Sequence, residues 1–329
     1  MIYERLRTVL TADELLDQAF RRAVRSAMSG SGRVVNIQRA MIQAVSDVLS
    51  DRLLRIVQDF PNFDELSPFY SELTDIIVGT DQLRMSLSSV NWAGDMVRSL
   101  AREALQKTKY GDPVRVRKAY YARISSIVHE VDKNLRFLNE ARNKLRKLPD
   151  ISDVPTIVVA GYPNVGKSSF VRRVTDAKPE IATYPFTTKG IYIGHFTRDG
   201  TRYQVVDTPG LLDRPLSDRN EIELQAITAL NHVGDVVLLL IDPSEHCGYP
   251  LTAQTNMLHE IEKTLAIPVI VAANKCDLAD FHGEWEHRIS AETGDGVDDV
   301  MRRVIEVIDS QTSRHSSSAS DTMPETGGD

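Results

Sequence analysis

The residues best suited to do chemistry lie in residues 161–168, which read GYPNVGKS. This stretch matches the phosphate-binding pattern G-x-x-x-x-G-K-[ST] at every position and follows the apolar run TIVVA of residues 156–160. In such a loop, backbone N–H groups and the positive end of the following helix bind nucleotide phosphates. The alternative is a simple turn between a strand and a helix, but strand, loop, lysine, serine and helix all occur together here. The pattern therefore predicts a site for a nucleoside triphosphate.

Four residues in and beyond this phosphate loop (residues 161–168) have predicted roles of their own. Lys167 is expected to reach the β- and γ-phosphates, and the Ser168 hydroxyl is expected to bind Mg²⁺. Asp207 begins the sequence DTPG at the end of a predicted strand, where a carboxylate can hold Mg²⁺ through water. In that sequence the N–H of Gly210 is expected to sense a γ-phosphate. A D-x-x-G sequence is common by chance and becomes informative only in this position after the loop.

The sequence NKCD of residues 274–277 predicts which base is bound, and it follows the apolar run VIVAA. The Asp277 carboxylate can accept hydrogen bonds from N1–H and N2–H₂ of guanine, a donor pair that adenine lacks. Asn274 is expected to brace the loops, and the Lys275 stem to lie on the base. Further along, Ser290-Ala291-Glu292 follows another predicted strand, where the Ala291 N–H could donate to guanine O6. Together these patterns favour GTP over ATP.

A threonine that closes on Mg²⁺ and the γ-phosphate is expected between the phosphate loop and Asp207. The segment YPFTTKG of residues 184–190 offers both Thr187 and Thr188, and spacing alone does not choose between them. The position after DTPG is Leu211, where other GTPases carry a glutamine that orients water. A leucine cannot do this, so slow intrinsic hydrolysis is expected.

The elements around these motifs predict an α/β domain over residues 151–310. Apolar runs at 156–160, 203–206, 235–241 and 268–273 alternate with helical segments at 167–175, 220–232, 251–265 and 296–309. This alternation indicates a mainly parallel sheet with helices on both faces. An Asp-Gly turn at residues 199–200 predicts one antiparallel hairpin. The polar residues 311–329 are expected to form a disordered tail.

Residues 1–150 are predicted to form an all-α helical bundle domain ahead of the α/β domain. Apolar residues recur there at helical spacing, and the last helix is expected to run from about 113 to 147. These residues carry 24 Lys and Arg against 19 Asp and Glu, whereas residues 151–329 carry 15 against 27. The basic excess is concentrated in residues 98–147, with 14 basic and 5 acidic side chains. This is the part of the chain best suited to contact a phosphate backbone, and the alternative is a solvated helix surface, which most charged helix faces are.

Composition excludes several other classes of protein. No run of 18 apolar residues occurs, which argues against a membrane span, and the first residues do not resemble a secretory signal. The two cysteines, Cys247 and Cys276, have no metal-ligand spacing, so a reducing, cytoplasmic location is the simplest inference. No feature indicates an oligomer, and a monomer is expected.

The motifs together resemble those of an Obg-related GTPase. The resemblance is to the nucleolar G-protein (Nog) family, in a short, archaeal-type form. It rests on the sequence of residues 184–190, on GLLDRP at 210–215 and on a long helical domain ahead of the GTPase domain. The resemblance covers about residues 10–310. It implies a P-loop GTPase that helps to assemble the large ribosomal subunit and touches rRNA, or a pre-ribosomal particle, with its helical domain. It also implies that Thr188 is the Mg²⁺ threonine, and that Asn164 helps to bind K⁺ as in several related GTPases.

These arguments define the complete predicted site, with GTP or GDP as ligand, Mg²⁺ as cofactor and K⁺ as a candidate activator. The catalytic residues are Lys167, Asn164 and Thr188, and the metal ligands are Ser168, Thr188 and Asp207. The nucleotide-binding residues are Gly161, Tyr162, Pro163, Asn164, Val165, Gly166, Lys167, Ser168, Ser169, Phe186, Thr187, Thr188, Asp207, Gly210, Asn274, Lys275, Asp277, Ser290, Ala291 and Glu292. Two other functions stay open: a GTPase that engages a protein or membrane, and an RNA-binding scaffold that holds GTP without hydrolysing it.

Overall fold

The computed structural model describes residues 2–29, 33–176, 179–182, 184 and 190–320. The chain divides into two compact units. We call residues 1–67 and 77–147 the helical unit, and residues 68–76 with 148–329 the sheet unit.

The part of the helical unit that the structure describes is built from amphipathic helices. They are α1 (Ala12–Ser29), α2 (Val34–Asp59), α4 (Thr80–Lys107), α5 (Pro113–Glu130) and α6 (Asp132–Leu145). Apolar side chains at helical spacing face inward, among them the fully buried Leu49, Leu83 and Leu138. Each such side chain contributes about 1.5–3 kcal/mol of burial free energy. The predicted all-α architecture of this unit is confirmed.

The helix predicted from about 113 to 147 is in fact two helices. Its start is as expected, since Pro113 occupies the first turn of α5 and the Asp112 side chain accepts a hydrogen bond from the Val114 N–H at 3.0 Å. The break falls at Val131, whose φ and ψ of −95° and 6° are not helical. Asp132 then begins α6, and its carboxylate accepts from the Ala12 N–H at 2.7 Å. The apolar stripe continues across the break, so the sequence pattern did not reveal it.

Helix α3 (Pro68–Val78) lies within the predicted helical domain, but its residues 68–76 group with the sheet unit. The Tyr70 hydroxyl donates to the Pro149 carbonyl at 2.9 Å and accepts from the Ile151 N–H at 3.1 Å. The buried ring of Phe69 lies 6.4 Å from that of Tyr184. A helix is amphipathic whichever unit it packs against, so periodicity alone could not assign it.

The sheet unit contains a six-stranded sheet in the order β2-β3-β4-β1-β5-β6. Its strands are β1 (Thr156–Ala160), β2 (Glu180–Ala182), β3 (Ile191–Arg198), β4 (Thr201–Asp207), β5 (Val236–Ile241) and β6 (Val269–Ala273). Strands β4, β1, β5 and β6 are parallel, whereas β2, β3 and β4 pair antiparallel. Every residue of β1 and of β5 is buried, as expected for central strands covered on both faces. The predicted mainly parallel sheet with one hairpin is confirmed.

Helices connect these strands and place their carboxyl ends at one edge. The helices are α7 (Lys167–Val174), α8 (Glu221–Thr228), α9 (Leu251–Thr264) and α10 (Val297–Ser320). In such folds ligands bind outside the carboxyl ends of parallel strands. The phosphate loop follows β1 there, Asp207 ends β4, and Asn274 follows β6.

The C-terminal helix is longer than the sequence predicts, and the short strand β2 was not predicted. The tail was expected to be disordered from residue 311, but α10 continues to Ser320. Once a packed segment has nucleated a helix, each further residue adds a hydrogen bond at low cost, so a polar sequence can extend it. Residues 321–329 lie outside the described residues. Within the part that is described, no helix combines the length and apolarity needed to cross a membrane.

Candidate nucleotide-binding site

The phosphate loop has a backbone that side chains would obstruct at two positions. Gly161 has a φ of +135°, and a Cβ there would lie 2.3 Å from the Leu240 carbonyl oxygen. Gly166 has a φ of +107°, and a Cβ there would lie 2.2 Å from Asn274 Nδ2. Both glycines of the sequence pattern are therefore required by close approach to neighbouring strands and loops. Pro163 and Val165 lie in the same turn, which leads into α7.

Lys167 lies in the first turn of α7 and folds back over the loop. Its Nζ donates to the Gly161 carbonyl at 2.6 Å and to the Tyr162 carbonyl at 2.9 Å, and the side chain is buried. The ammonium group is thus held inside the loop by two carbonyls rather than by a carboxylate. A positive charge fixed in this way favours a bound phosphate.

Ser168 and Asp207, both predicted Mg²⁺ ligands, are in direct contact. Ser168 Oγ donates to Asp207 Oδ2 at 2.9 Å, which brings together α7 and the end of β4. Asp207 is fully buried, and its Oδ1 has no hydrogen-bond partner among the described residues. Burial raises the pKa of Asp207, and the nearby Lys167 charge opposes that shift. A buried carboxylate oxygen without a partner is costly unless a cation satisfies it, so the hydroxyl and carboxylate fit a Mg²⁺ ion.

The segment after Asp207 is held by an internal hydrogen-bond network that the sequence did not predict. The Gly210 N–H, expected to be placed for a γ-phosphate, donates to Asp213 Oδ2 at 2.7 Å. The Arg219 side chain is 1% exposed and donates to the Leu211 carbonyl at 2.8 Å, while lying 3.4 Å from Asp213 Oδ1. The Leu211 side chain is fully buried and offers no polar group. A γ-phosphate that binds Gly210 has to replace the Asp213 carboxylate.

Asn274 connects the phosphate loop to the predicted base-binding loops. Its Nδ2 donates to the Val165 carbonyl at 2.7 Å, and its Oδ1 accepts from the Ala291 N–H at 2.8 Å. Its own backbone N–H donates to the Ile241 carbonyl at 2.8 Å. The side chain is buried, so both hydrogen bonds are shielded from water. One residue therefore fixes the spacing between the two ends of the site.

Lys275 and Asp277 occupy different environments in the same loop. Lys275 has a φ of +66°, and its Nζ lies 2.6 Å from Oδ2 of Asp242, a fully buried residue that follows β5. Burial would raise the pKa of Asp242, but hydrogen bonds from Lys275, Ser244 and the Cys247 N–H outweigh it and lower that pKa. Asp277 is exposed, so its carboxylate is accessible to a ligand. Sequence reasoning missed Asp242, although an acidic residue at the end of a parallel strand was an available signal.

The loop at residues 290–295 differs in detail from the prediction. The strand expected before it is reduced to a single bridge between Ala273 and Arg288. The Ala291 N–H, expected to face guanine O6, instead donates to Asn274. Arg173 of α7 was not predicted, yet its Nε donates to the Ala291 carbonyl at 2.7 Å and its guanidinium also donates to the Glu292 carbonyl. The contact joins residues far apart in sequence, which no local pattern reveals.

Several predicted residues remain to be placed. Tyr162 is buried and Ser169 half-buried beside the loop, and Asn164 has a φ of +63° with an exposed side chain. Phe186, Thr187 and Thr188 lie outside the described residues. Immediately before them, the fully buried Tyr184 donates its hydroxyl to the Ala226 carbonyl at 2.7 Å.

A phosphate loop after β1, a Ser–Asp pair suited to Mg²⁺ and an Asn-Lys-x-Asp loop after β6 define a P-loop GTPase domain. Here a helical unit accompanies it. In comparison with known proteins, residues 3–152 match the NOG1 N-terminal helical domain, and residues 156–275 match a family described as 50S ribosome-binding GTPase. The chain belongs to the NOG1 family of nucleolar GTP-binding proteins.

Over the aligned residues, individual relatives are about a third or more identical to this chain. It is 38% identical to an uncharacterized protein of Methanocaldococcus jannaschii, over 84% of this chain and 81% of that protein. It is 41% identical to nucleolar GTP-binding protein 1 of Drosophila melanogaster, over 69% of this chain and 36% of that protein. The Caenorhabditis elegans protein of the same name is 34% identical, over 84% of this chain and 42% of that protein. The chain thus spans less than half the length of these two animal relatives.

Proposed function

We propose that this protein is a GTP-hydrolysing switch that acts in assembly of the large ribosomal subunit and binds rRNA through its helical unit. The observation that best supports GTP binding and hydrolysis is the pair of side-chain hydrogen bonds made by Asn274. Its side chain donates to the Val165 carbonyl of the phosphate loop at 2.7 Å and accepts from the Ala291 N–H of the 290–295 loop at 2.8 Å, which supports one site for the triphosphate and the base. The exposed Asp277 beside it supplies an acceptor for guanine N1–H and N2–H₂.

Different residues of the site would have different roles in hydrolysis. Lys167 and the N–H groups of the phosphate loop would bind and neutralise the phosphates. Mg²⁺, held by Ser168, Asp207 and in our proposal Thr188, would supply additional positive charge at the β- and γ-phosphates. The Leu211 side chain is fully buried and has no polar group that could orient water, which supports slow intrinsic hydrolysis. Acceleration by the RNA partner would then couple hydrolysis to the assembly step.

The rRNA part is supported by charge on the surface of the helical unit. Of the 14 basic residues in 98–147, 12 are exposed. Three of these 12 form ion pairs, namely Arg98, Lys107 and Arg136. The remaining nine make no ion pair with a described residue, so their charges are available to phosphates. The matched GTPase family is described as 50S ribosome-binding, and the relatives are called nucleolar GTP-binding proteins, which supports a ribosomal partner.

The test measures RNA binding and single-turnover GTP hydrolysis with the full chain. Three exposed basic residues of α5, Arg115, Lys118 and Arg123, are replaced together by glutamine. If each contacts one phosphate, affinity for large-subunit rRNA falls and the slope of log K against log salt decreases by about three. RNA should raise the hydrolysis rate of the wild-type protein but not that of the variant.

A matched control neutralises three exposed basic residues of the sheet unit, Arg202, Lys263 and Arg302, and should keep both properties. Equal RNA affinity of the two triple variants would remove the rRNA proposal and leave a protein or membrane target. Hydrolysis at background with and without RNA would instead support the non-hydrolysing scaffold.

We further propose that K⁺ stimulates hydrolysis through Asn164. Its side chain is exposed and makes no hydrogen bond with a described residue. Its φ of +63° suits asparagine or glycine, so Asn164→Gly removes the amide without straining the backbone. We expect single-turnover hydrolysis to be about tenfold faster in K⁺ than in Na⁺, equivalent to about 1.4 kcal/mol of barrier. Asn164→Gly should abolish the difference, and equal wild-type rates in both salts would refute this role.

A further inference from the structure

One backbone donor of the candidate site, the Gly210 N–H, is held in a fixed position. Gly210 has a φ of +82°, and the side chains of the two residues after it are fully buried. The N–H groups of Leu211 and Leu212 both donate to the Thr208 carbonyl, at 3.0 and 3.2 Å. The Leu212 carbonyl in turn accepts from the Gly161 N–H at 2.9 Å. The turn that carries the Gly210 N–H is therefore joined directly to the phosphate loop.

The acceptor for this donor is a side chain that can leave. Asp213 Oδ2 accepts from the Gly210 N–H at 2.7 Å, and the Asp213 side chain is 19% exposed. Rotation of this side chain breaks the contact without changing the backbone hydrogen bonds of the turn. Burial is the main cause of the raised pKa of Asp207, and the charge of Asp213 adds to it. The Asp213 carboxylate therefore occupies the place of an anion beside the candidate Mg²⁺ site.

The buried Arg219 has a second carboxylate partner that can replace Asp213. Its side chain is 1% exposed, and its guanidinium lies 3.4 Å from Asp213 Oδ1 and 3.5 Å from Glu223 Oε1. Glu223 is fixed at the start of α8, where its carboxylate accepts from the Asn220 N–H at 3.1 Å. A buried charge without a partner is costly. Because Glu223 stays beside Arg219, release of Asp213 does not leave the guanidinium unpaired.

We propose that Asp213 is a specificity-determining residue whose carboxylate competes with the γ-phosphate for the Gly210 N–H and so lowers the affinity for GTP relative to GDP. This inference rests on the proposed function as a GTP-binding protein. A backbone N–H is a single donor, and two anions repel each other, so carboxylate and phosphate exclude one another there. GDP has no γ-phosphate and leaves the Asp213 contact intact. The free energy of breaking that contact therefore enters the binding of GTP alone.

The test compares the affinities for GDP and for GMPPNP, a GTP analogue that resists hydrolysis. Equilibrium binding with Mg²⁺ is measured for the full-length wild-type protein, Asp213→Ala, Asp213→Asn and the control Asp218→Ala. Alanine removes both the charge and the acceptor, whereas asparagine removes the charge and keeps an acceptor oxygen. The Asp218 side chain is exposed in the same segment and makes no hydrogen bond or ion pair with a described residue. Its removal changes the net charge by the same amount.

In Asp213→Ala, the affinity for GMPPNP should rise about tenfold, as expected for the loss of one competing hydrogen bond to a charged group. The affinity for GDP should stay at the wild-type value. Asp213→Asn should show a smaller rise for GMPPNP, and Asp218→Ala should show none. A merely structural role of Asp213 would weaken the binding of both nucleotides and leave their ratio intact.

The proposal is overturned if the ratio of GMPPNP to GDP affinity in Asp213→Ala equals the wild-type ratio or falls below it. It is also overturned if Asp218→Ala raises that ratio as much, because net charge alone would then explain the effect. Should Asp213→Ala not fold, the ratio in Asp213→Asn decides by the same criteria. Failure of the proposed function has a different signature, since the wild-type protein would then bind GMPPNP no better than AMPPNP, the corresponding adenine nucleotide.

Discussion

Asp277→Asn should change the base preference of this protein from GTP towards XTP. In our proposal the Asp277 carboxylate accepts from N1–H and N2–H₂ of guanine, whereas an asparagine amide would present a donor that guanine cannot satisfy there. Xanthine carries an oxygen in place of the N2 amine and accepts from that amide. Sites that recognise a ligand through buried hydrogen bonds discriminate strongly, and a loss of about 100-fold or more in GTP affinity is expected.

The surrounding structure makes this substitution a clean test. Asn274 and Lys275 fix the loop through their contacts with Val165, Ala291 and Asp242, none of which involves the Asp277 side chain. Asp277 is exposed, so the change should leave the fold intact. Binding of GTP and XTP is measured for Asp277→Asn and for Asp280→Asn, an exposed aspartate three residues further on. GTP affinity equal to that of the wild type in Asp277→Asn would show that Asp277 does not recognise the base.

The sequence predicts the strands and loops of this site well because their signals are local. The phosphate loop combines a buried strand, two glycines with positive φ and a lysine within a few residues. The hydrogen bonds that hold those parts together are not local. Asn274 reaches Val165 and Arg173 reaches Ala291 across more than a hundred residues, so spacing indicates neither contact.

Two errors have a common physical origin in continuous amphipathic patterns. The stripe that predicts a single helix to residue 147 passes through Val131 without interruption, although the backbone there is not helical. Helix α3 has an equally ordinary apolar face, and its partners Pro149 and Tyr184 are known only from the folded chain. Side-chain periodicity reports which face is buried. It does not report where the backbone breaks or what covers that face.

The 290–295 loop shows that a sequence motif does not predict which backbone N–H of a loop is free to contact a ligand. The motif locates the loop correctly beside Asn274, but a turn can present any of its N–H groups to a ligand. Here the Ala291 N–H donates to Asn274 Oδ1. The same holds for Gly210, whose N–H is taken by Asp213. Which donor is free depends on side chains outside the motif.

Asp207→Asn should have opposite effects on stability and on ligand binding. Asp207 is fully buried, its Oδ1 lacks a partner among the described residues, and burial raises its pKa. A buried charge costs more than a buried neutral amide, and the amide oxygen can still accept the hydrogen bond from Ser168. Removing the negative charge should therefore raise the thermal midpoint by about 2–4 °C when nucleotide and Mg²⁺ are absent. Lys167 loses a nearby negative charge but keeps its hydrogen bonds to Gly161 and Tyr162, which limits the opposing cost.

With GTP and Mg²⁺ present, the order of stability should reverse. A ligand present at 100 times its Kd stabilises the wild-type protein by about 2.7 kcal/mol, and Asp207→Asn should lose most of this because the carboxylate ligand is gone. Scanning calorimetry with GTP, with and without Mg²⁺, measures both effects. Asp235→Asn is the matched control, since burial also raises the pKa of Asp235, but its carboxylate accepts from the Thr156 N–H at the start of β1, at the end of that strand away from the phosphate loop. Equal stabilisation of Asp207→Asn and wild type by GTP with Mg²⁺ would exclude Asp207 as a metal ligand, and a lower midpoint without ligand would show that its charge is satisfied by Lys167.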